Sequence, residues 1–599
     1  MNGKGNVSVP IIWKIAVTVL VLLCVGLLIA LVVIAVDFAQ YKEKYPSNLE
    51  TNLCDEKTLE LGEVPKTQNI FNELSREEMV AARDFMLKNS SLKLKNIENA
   101  SVKENYIYMI QLYPPGKQAV LDYLEKGRPR PARKALVVVF EGDSNPPVVR
   151  EYIVTWPNSN VKEMTYKERG NPLGFNVRPY DKVQHKALEK IVMEATSKAF
   201  KILNESYDGY CYNNCTNRLL KFYPQTPFVA GVDCPETSKF FDTMHFVDTN
   251  KPKVIKNAVC VFEMDSGIPL RRHFEANGKK FRFYEGLTNH VLVLRTIATL
   301  RNYDIVFDFV FYQNGVVEVK STPTGYVQTE NRQAGSDEQY GQYIENKLLG
   351  NLHDHIFHYK IDLDVYGTSN YFEKITIVNQ DTPNKWLPPQ RDNLMEFRKE
   401  QLKLENDAAI QKIDFEKPTF YNVYSDEKNK FDVKRGYLVI PTSAVKQILP
   451  KEDPQTKMAP WSIYPLAVTR YKDGELKSSS VYNQNSPTSP IVNFEEFLGD
   501  NSHISDQDLV VWVSIGCIQI PSTEDIPNAA SPTNTARLFL RPFNYFDADP
   551  SINSTDAVFI KPSSDKSSSN PPMVTSHVDR SKDVCIPRKY DINLKSTYE

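Results

Sequence analysis

Leu300-Arg-Asn-Tyr-Asp-Ile-Val-Phe-Asp-Phe-Val-Phe-Tyr-Gln-Asn-Gly315 is the stretch from which the fold of this 599-residue chain is best approached. Its alternation of large apolar and polar residues predicts a β-strand, and Gln313-Asn314-Gly315 is typical of the turn that ends one. The strand begins at Asn302-Tyr303-Asp304. Taken alone, a tyrosine at this position is most simply a half-buried strand residue with a hydrogen-bonded hydroxyl.

Two histidines follow downstream, in His353-Asp354-His355, and lead into Lys360-Ile-Asp-Leu-Asp-Val365. Because residues i and i+2 of a strand lie on one face, His353 and His355 can point at the same ion. Imidazole is a good ligand for copper. An isolated His-x-His is more often a pair of surface or packed histidines, so the motif depends on its surroundings.

Both segments resemble parts of the copper amine oxidases, as does Pro521-Ser-Thr-Glu-Asp-Ile-Pro527 further on. The resemblance covers most of residues 70–561. It implies a homodimeric enzyme that uses copper and topaquinone. The implied reaction is the oxidation of a primary amine by oxygen to an aldehyde, with release of ammonia and hydrogen peroxide.

The resemblance also implies roles for individual residues. Tyr303 takes the position of the tyrosine that is modified to topaquinone, and Asn302 and Asp304 complete the family's signature around it. His353 and His355 take the positions of two copper ligands.

Two parts of the family's site differ in this chain. The family's third copper ligand is a histidine just before the Pro-x-x-Glu-Asp-x-Pro segment, where this chain has Gln519. An amide oxygen is a poorer donor to Cu(II) than imidazole, so we expect weaker copper binding and impaired quinone formation. The family's catalytic Asp precedes a Gly-Val-Asp-Cys segment, but residues 212–228 contain no Asp or Glu. Asp233 belongs to the Gly-Val-Asp-Cys segment itself, so it is not taken as the catalytic base. Losing a general base usually costs orders of magnitude in rate.

Structural features are implied as well. The resemblance predicts a disulfide between Cys234 and Cys260, for which two free buried thiols are the alternative. It also predicts a structural calcium ion, which requires several oxygen ligands. The predicted ligands of that ion are Asp362, Leu363, Asp364, Asp508 and Leu509. Glu405 matches a ligand of a second calcium site, although its partners align with a shift of one residue and a solvated surface acid is the alternative.

The bulk properties bear on partners and location. A net charge of −2 and the absence of a long basic run argue against nucleic-acid binding. The uncharged run Ile15–Val36 is long enough to cross a bilayer and has Lys4 and Lys14 around its start. It predicts a retained anchor and a single-pass type II membrane protein with the bulk of the chain outside the cell.

Cysteines and glycosylation sequons agree with an oxidising exterior. Cys211 and Cys215 have no partner pair at zinc-site spacing, so disulfide chemistry is favoured over metal binding. Five Asn-x-Ser/Thr sequons lie after the apolar run. They are Asn89, Asn99, Asn204, Asn214 and Asn553.

The predicted fold class is α+β, with a small N-terminal α+β module followed by a large antiparallel β-sandwich and one N-terminal transmembrane helix. In the module we expect helices over Leu74–Leu87, with Ser75 as N-cap, and over Lys117–Leu124. Two further helices are predicted, over Lys182–Ile202 and from about Met395 to Lys412. The predicted divisions are a short cytosolic N-terminus (1–10), the anchor (11–36), a stalk (37–65), the small module (66–155), a remnant of a second α+β domain with a linker (156–228), the sandwich with a shortened start (229–561) and an irregular tail (562–599).

Three interpretations of function stay open. The first is a membrane-anchored primary-amine oxidase that acts outside the cell. The second is a catalytically inactive member that binds amines, glycans or proteins at the cell surface, which Gln519 and the missing base favour. The third is a shortened splice form or incomplete gene model of an active enzyme; the abrupt junction at 227–231 suits it, but it does not explain Gln519.

Overall fold

Antiparallel β-strands make up most of the fold, and helices are few, as the alternating apolar runs predict. The computed structural model describes residues 70–156, 164–188, 227–277, 280–300, 302–331, 338–345, 348–414, 416–486, 488–529, 532–554, 557–561 and 573–576. All of these residues belong to one unit of the chain, Ile70–Glu599.

The N-terminal part combines two helices with a mainly antiparallel sheet. Its elements are α1 (Arg76–Lys88), β1 (Leu94–Lys95), β2 (Asn105–Tyr113), α2 (Lys117–Lys126), β3 (Arg133–Glu141), β4 (Val148–Trp156), β5 (Thr165–Gly174) and β6 (Lys239–Val247). Strands β2 to β5 pair in sequence order. Strand β1 lies parallel to β2, and β6 pairs antiparallel with β2. Both predicted helices are confirmed, and residues 182–188 are also helical, so the described part of the Lys182–Ile202 helix is confirmed too.

Helix α1 starts where the sequence predicts. The Glu78 backbone N–H donates to the Ser75 hydroxyl at 3.2 Å, and the Ser75 N–H donates to the Glu78 carboxylate at 2.9 Å. This reciprocal capping satisfies two donors that the first turn leaves without partners. Met79, Ala82 and Met86 form the buried face of the helix and pack against the sheet.

The largest sheet continues from β6. Its further strands are β7 (Lys253–Asn277), β8 (Lys280–Leu300), β9 (Tyr303–Tyr312), β10 (Val317–Gly325), β15 (Tyr371–Pro383), β16 (Arg391–Leu402), β17 (Thr419–Lys428), β18 (Lys434–Pro441) and β21 (Ala536–Phe543). The order across the sheet is β6-β7-β8-β9-β10-β21-β18-β17-β15-β16. Strands β22 (Ala557–Lys561) and β23 (Met573–Ser576) extend it beside β8, so the tail predicted to be irregular contributes one strand.

Two smaller sheets complete the fold. One consists of β14 (His353–Asp362), β20 (Leu509–Gln519) and β19 (Leu466–Arg470), with β20 in the middle. The other consists of β11 (Thr329–Asn331), β13 (Leu348–Asn351) and β12 (Gly341–Glu345). A short helix, Pro454–Met458, lies in the connection before β19.

The β14-β20-β19 sheet packs face to face on the largest sheet. Val511, Val513 and Ile515 of β20 share one buried cluster with Phe372 of β15 and Val439 of β18. Burial of these apolar side chains is the main favourable term that holds the two sheets together. The prediction of a large, mostly antiparallel β-sheet domain is therefore confirmed.

One predicted helix is wrong. Met395–Leu402 belong to β16, which pairs with β15 from Phe372 opposite Leu402 to Pro383 opposite Arg391, and residues 403–412 form turns and irregular structure. Leu, Glu, Lys, Arg and Gln dominate this stretch and are good helix formers, but intrinsic propensity is a weak preference that tertiary contacts override. Here the continuous backbone ladder to β15 decides the structure.

The predicted membrane anchor has no support in the structure. Within the described residues, no helix is both long enough and apolar enough to cross a membrane, which contradicts the single-pass type II arrangement. The run Ile15–Val36 and the predicted stalk lie outside the described residues.

Several other predicted features also lie outside the described residues: Cys211, Cys215, Asn204 and Asn214. Of the described sequons, Asn99 is exposed and Asn89 donates its amide N–H to the Tyr166 hydroxyl at 2.8 Å. Both stay predicted acceptors, and so does Asn553.

Candidate active site

Tyr303 is the first residue of β9, and its neighbours fix the start of that strand. Gly325 of β10 lies directly opposite it. Gly325 has φ +99°, and a Cβ there would lie 2.7 Å from the Asn302 carbonyl oxygen, so only glycine is accommodated. The Asn302 side chain donates to the Tyr326 carbonyl at 2.5 Å, and the Tyr326 N–H donates back to the Asn302 carbonyl at 2.8 Å.

Asp304 has a similar supporting role. The Thr299 hydroxyl donates to its carboxylate at 2.5 Å, across the β8–β9 pair. Asn302 and Asp304 therefore hold the backbone on both sides of Tyr303, and their described hydrogen bonds go to the neighbouring strands.

The Tyr303 side chain is buried, with 7% of its surface exposed. It packs in a small cluster with Ile305, Ala529, Phe307 and Phe357. This burial raises the pKa of Tyr303 to about 12, because the phenolate would lose its hydration. The hydroxyl accepts a hydrogen bond from the Gln328 N–H at 3.2 Å.

His353 begins β14 and faces the tyrosine. Its Nε2 lies 2.8 Å from the Tyr303 hydroxyl, and its Nδ1 lies 2.7 Å from the Asn351 carbonyl oxygen. A carbonyl oxygen only accepts, so Nδ1 carries a proton and the Nε2 of the neutral ring presents a lone pair toward Tyr303. His355 lies on the same face of β14, with its ring centre 4.5 Å from that of Tyr303 and 4.9 Å from that of His353.

Gln519 ends β20 opposite His353 and completes the group. Its Oε1 lies 3.0 Å from the Tyr303 hydroxyl and 3.0 Å from His355 Nε2, which donates to it. Burial lowers the pKa of His355, which favours the neutral ring. The Nε2 of Gln519 is buried and has no hydrogen-bond partner in the part of the chain that the structure describes.

The structure thus brings together Tyr303, His353, His355 and Gln519. The Nε2 atoms of both histidines face the Tyr303 hydroxyl and Gln519 Oε1. An Nδ1–H bonded to a backbone carbonyl, as in His353, is the outer-shell arrangement typical of a metal-ligating histidine. The donor set fits copper well at two positions and weakly at the third, because an amide oxygen replaces an imidazole.

The segment in which the family's catalytic Asp is expected contains no acidic side chain in its described part. Residues 212–226 lie outside the described residues, and 227–228 are Pro and Phe. The Asp233 carboxylate accepts the Val229 N–H at 2.6 Å, which is a turn-stabilising role.

Cys234 and Cys260 form a disulfide, as predicted. Cys517 is the free cysteine of the described residues and pairs opposite His355 in the sheet. Burial and the nearby Asp354 raise the pKa of its thiol to about 11, so the thiol is protonated at neutral pH.

The predicted ligands of the first calcium site are three aspartates and two leucines. Carboxylate oxygens of Asp362, Asp364 and Asp508 lie within 4.8 Å of one another, but Lys117 Nζ is 2.7 Å from an oxygen of each. The ammonium occupies the place where an ion would bind. Leu363 is half-buried against the main core and Leu509 is buried in it.

The Glu405 carboxylate is fully buried and accepts the N–H groups of Arg470 at 3.0 Å and Ser502 at 2.9 Å. Both of its oxygens are used by the backbone, and its role in a second calcium site stays a prediction.

Three contributors to these sites were not predicted. The Asn351 carbonyl and the Gln328 N–H act through the backbone, so their residue types carry no signal. Lys117 lies 245 residues before Asp362 and inside a predicted helix, and nothing local marks its side chain as a partner of the three aspartates.

Two stretches of the chain match family models. Residues 223–561 match the enzyme domain of copper amine oxidases, and residues 77–166 match the copper amine oxidase N2 domain.

Curated relatives agree with these matches. The chain is 42% identical to the copper-containing diamine oxidase of Mus musculus over 333 residues, which cover 55% of this chain and 44% of that protein. It is 40% identical to the Homo sapiens diamine oxidase over 364 residues, 61% of this chain and 48% of that protein. It is 38% identical to the copper-containing amine oxidase 3 of Rattus norvegicus over 357 residues, 59% of this chain and 46% of that protein. The chain therefore spans about half the length of the curated relatives it matches.

Solved structures share the fold. A Pichia pastoris lysyl oxidase superposes with a TM-score of 0.74 at 21% identity, covering 86% of this chain and 95% of that chain. An Aspergillus nidulans amine oxidase superposes with a TM-score of 0.73 at 18% identity, covering 85% of this chain and 92% of that chain.

Proposed function

The chain belongs to the copper amine oxidase family, and we propose that it binds copper through His353 and His355 and oxidises primary amines with reduced efficiency. The observation that carries this proposal is the 2.8 Å contact between the Tyr303 hydroxyl and His353 Nε2, beside a second imidazole on the same strand face. Two of the relatives named above are diamine oxidases, so a short aliphatic diamine is the first substrate to test.

Copper bound here would supply the redox chemistry that, with oxygen, converts the ring of Tyr303 to topaquinone. The protein's own contribution is to position the tyrosine. Gly325 and Asn302 hold the start of β9, and the Gln328 N–H fixes the phenol oxygen at 3.2 Å. Because burial raises the pKa of Tyr303 to about 12, the phenol keeps its proton at neutral pH until the metal binds beside it.

Two features of the site reduce the proposed activity. Gln519 offers an amide oxygen where the family has an imidazole, which weakens copper binding. Residues 212–228 contain no acidic side chain that could remove a proton from the substrate carbon. General acid–base catalysis typically contributes about 10²–10⁴-fold to a rate, so we expect a slow reaction.

The second candidate function is a catalytically inactive member of the family that binds another molecule. The observation that favours it is the Gln519 carboxamide, whose oxygen is hydrogen-bonded to both Tyr303 and His355. This network satisfies the hydroxyl and one imidazole without a metal.

Quinone staining of the purified full chain, after loading with copper in air, separates the two candidates. Copper content, the quinone signal and hydrogen peroxide release from a diamine are measured on the same sample. The oxidase proposal expects copper retention and a weak but measurable peroxide signal that a Tyr303→Phe variant lacks. Retained fold without copper, quinone or peroxide would leave only the inactive candidate.

We also propose two coarser features of organisation. The small module (66–155) and the sandwich (229–561) are supported as separate divisions by the family-model matches at 77–166 and 223–561. A homodimer is supported by the large apolar side chains exposed on the β15–β16 hairpin, among them Trp386 and Met395.

A further inference from the structure

A cluster of three carboxylates lies where the small module meets the β14-β20-β19 sheet. Asp362 ends β14, Asp364 follows it, and Asp508 immediately precedes β20. Their oxygens lie within 4.8 Å of one another. Carboxylates at such distances repel each other unless a cation lies between them or one is protonated.

The cation is Lys117, the first residue of α2. Its Nζ lies 2.7 Å from Oδ1 of Asp362, of Asp364 and of Asp508. An ammonium has three N–H donors and no acceptor, so each proton is matched to one carboxylate. The Lys117 side chain is only 13% exposed.

The position of Lys117 is fixed from other directions. Its backbone N–H donates to the Asp473 carboxylate at 3.1 Å, at the start of α2. A Cβ on Gly116 would lie 2.6 Å from that carboxylate, so a larger residue there would displace the Asp473 side chain from this position. The Nζ also lies 4.8 Å from the centre of the Tyr471 ring, a cation–π distance. Lys360 Nζ, 5.1 Å from the same ring, adds a second positive charge beside the cluster.

A calcium ion cannot share this place. Calcium binds oxygen at about 2.3–2.6 Å, which would put it at nearly the point that the ammonium occupies among the same three oxygens. The calcium ion implied by the family therefore does not fit together with Lys117.

We infer that Lys117 is the resident cation of this carboxylate cluster in place of calcium, and that it fastens helix α2 to the strands that carry His353 and Gln519. The cluster then needs no metal. The contact connects two regions more than two hundred residues apart in sequence, as the separations of 245, 247 and 391 residues show.

Terbium luminescence of the full chain tests this inference at the site itself. Tb³⁺ takes calcium sites, and an ion bound in the cluster would be excited through the nearby Tyr471 ring. We expect the wild-type chain not to bind Tb³⁺ in the cluster. Any sensitised emission from wild type should therefore be unchanged in an Asp364→Asn variant. A Lys117→Met variant, which keeps the length of the side chain and removes its charge, is expected to gain sensitised emission that calcium displaces.

Thermal unfolding gives the second readout. The midpoint of Lys117→Met is expected to fall in EGTA and to recover with millimolar calcium. Lys126→Met is the matched control, since Lys126 lies on the same helix and forms only an exposed pair with Asp122; it should behave as wild type. Wild-type emission that calcium displaces and Asp364→Asn abolishes would overturn the inference, and this measurement does not require Lys117→Met to fold. An unchanged midpoint in a folded Lys117→Met would overturn the fastening role.

Discussion

Gln519 is a buried polar residue that is only partly satisfied. Its oxygen accepts from His355 Nε2 and competes with His353 Nε2 for the single proton of the Tyr303 hydroxyl, while its own Nε2 has no partner among the described residues. A buried donor without a partner costs about 1–3 kcal/mol. The residue thus links Tyr303 to His355 at a cost in stability, and an imidazole in its place would offer copper a third nitrogen.

Replacing Gln519 by His should strengthen copper binding. We expect a gain in affinity on the order of 10–100-fold for Gln519→His, because imidazole is the better donor to Cu(II). Equilibrium dialysis against a copper buffer, followed by metal analysis, measures the change. Gln519→Leu is the control of similar size without a donor atom, and it should bind copper no better than wild type. Equal affinities for the His and Leu variants would show that Gln519 is not at a ligand position.

His358 makes the stability of the fold sensitive to acid. It stacks on Trp512 in the core, and burial lowers its pKa to about 3. The Ser514 hydroxyl donates to the Tyr464 carbonyl, so His358 Nδ1–H must donate to Ser514, and its Nε2 is left buried without a described partner. The folded protein therefore keeps this ring neutral.

The pH dependence follows from that difference. The unfolded chain takes up a proton at His358 below a pH of about 6.5, while the folded chain does not until a pH of about 3. The contribution of His358 to stability is complete above pH 6.5 and falls by about 1.4 kcal/mol per pH unit below it. Denaturant unfolding at pH 7 and pH 5 should show that His358→Phe loses about 2 kcal/mol less than wild type. His273→Gln, at an exposed histidine, should lose as much as wild type.

At the scale of elements, the disulfide joins the start of the largest sheet to the turn before it. Cys260 lies in β7 and is fully buried, and Cys234 lies 26 residues earlier. Closing a loop of this length restricts the unfolded chain. Replacing both cysteines by Ala should therefore lower the free energy of unfolding by about 3 kcal/mol.

Chemical denaturation of the Cys234→Ala/Cys260→Ala double variant measures this loss. Cys517→Ala is the matched control, because Cys517 is a half-buried free thiol. We expect it to lose clearly less stability than the double variant. A double variant as stable as the control would mean that the disulfide adds nothing to stability.

Elements whose residues alternate or carry a cap could be predicted from the sequence. The period of two placed His353 and His355 on one face, and Ser75 marked the start of α1. The strand at Met395–Leu402 could not be predicted, because its composition favours a helix and only pairing with β15 makes it a strand. Lys117 likewise lies in a correctly predicted helix, but its partners come from strands far along the chain.

At the scale of the whole molecule, the β15–β16 hairpin leaves large apolar side chains in solvent. Trp386 is 89% exposed, Met395 88% and Phe397 69%. Isolated exposed apolar residues are common, but several on one hairpin favour an interface. A second copy of the chain is the partner that the family implies.

Light scattering after size exclusion should therefore give twice the mass of one chain. The triple variant Trp386→Ser, Met395→Ser and Phe397→Ser should shift the protein toward the monomer, because it removes apolar area that the interface would bury. Phe431→Ser is the control, at a 66% exposed residue in the β17–β18 turn. A wild-type protein that runs as a monomer at micromolar concentration would refute the proposed dimer.

The central position of β20 in its three-stranded sheet has a consequence for synthesis. His355 can form its hydrogen bond to Gln519 only after a further 164 residues have been synthesised. At about 5–20 residues per second, this delay is on the order of ten to thirty seconds. Strands β14 and β19 pair with β20 and not with each other, so the edge of β14 is open to other chains through that interval and the edge of β19 through its last part. This small sheet is thus most exposed to misassembly just before β20 arrives, and slower translation after β19 would lengthen that period.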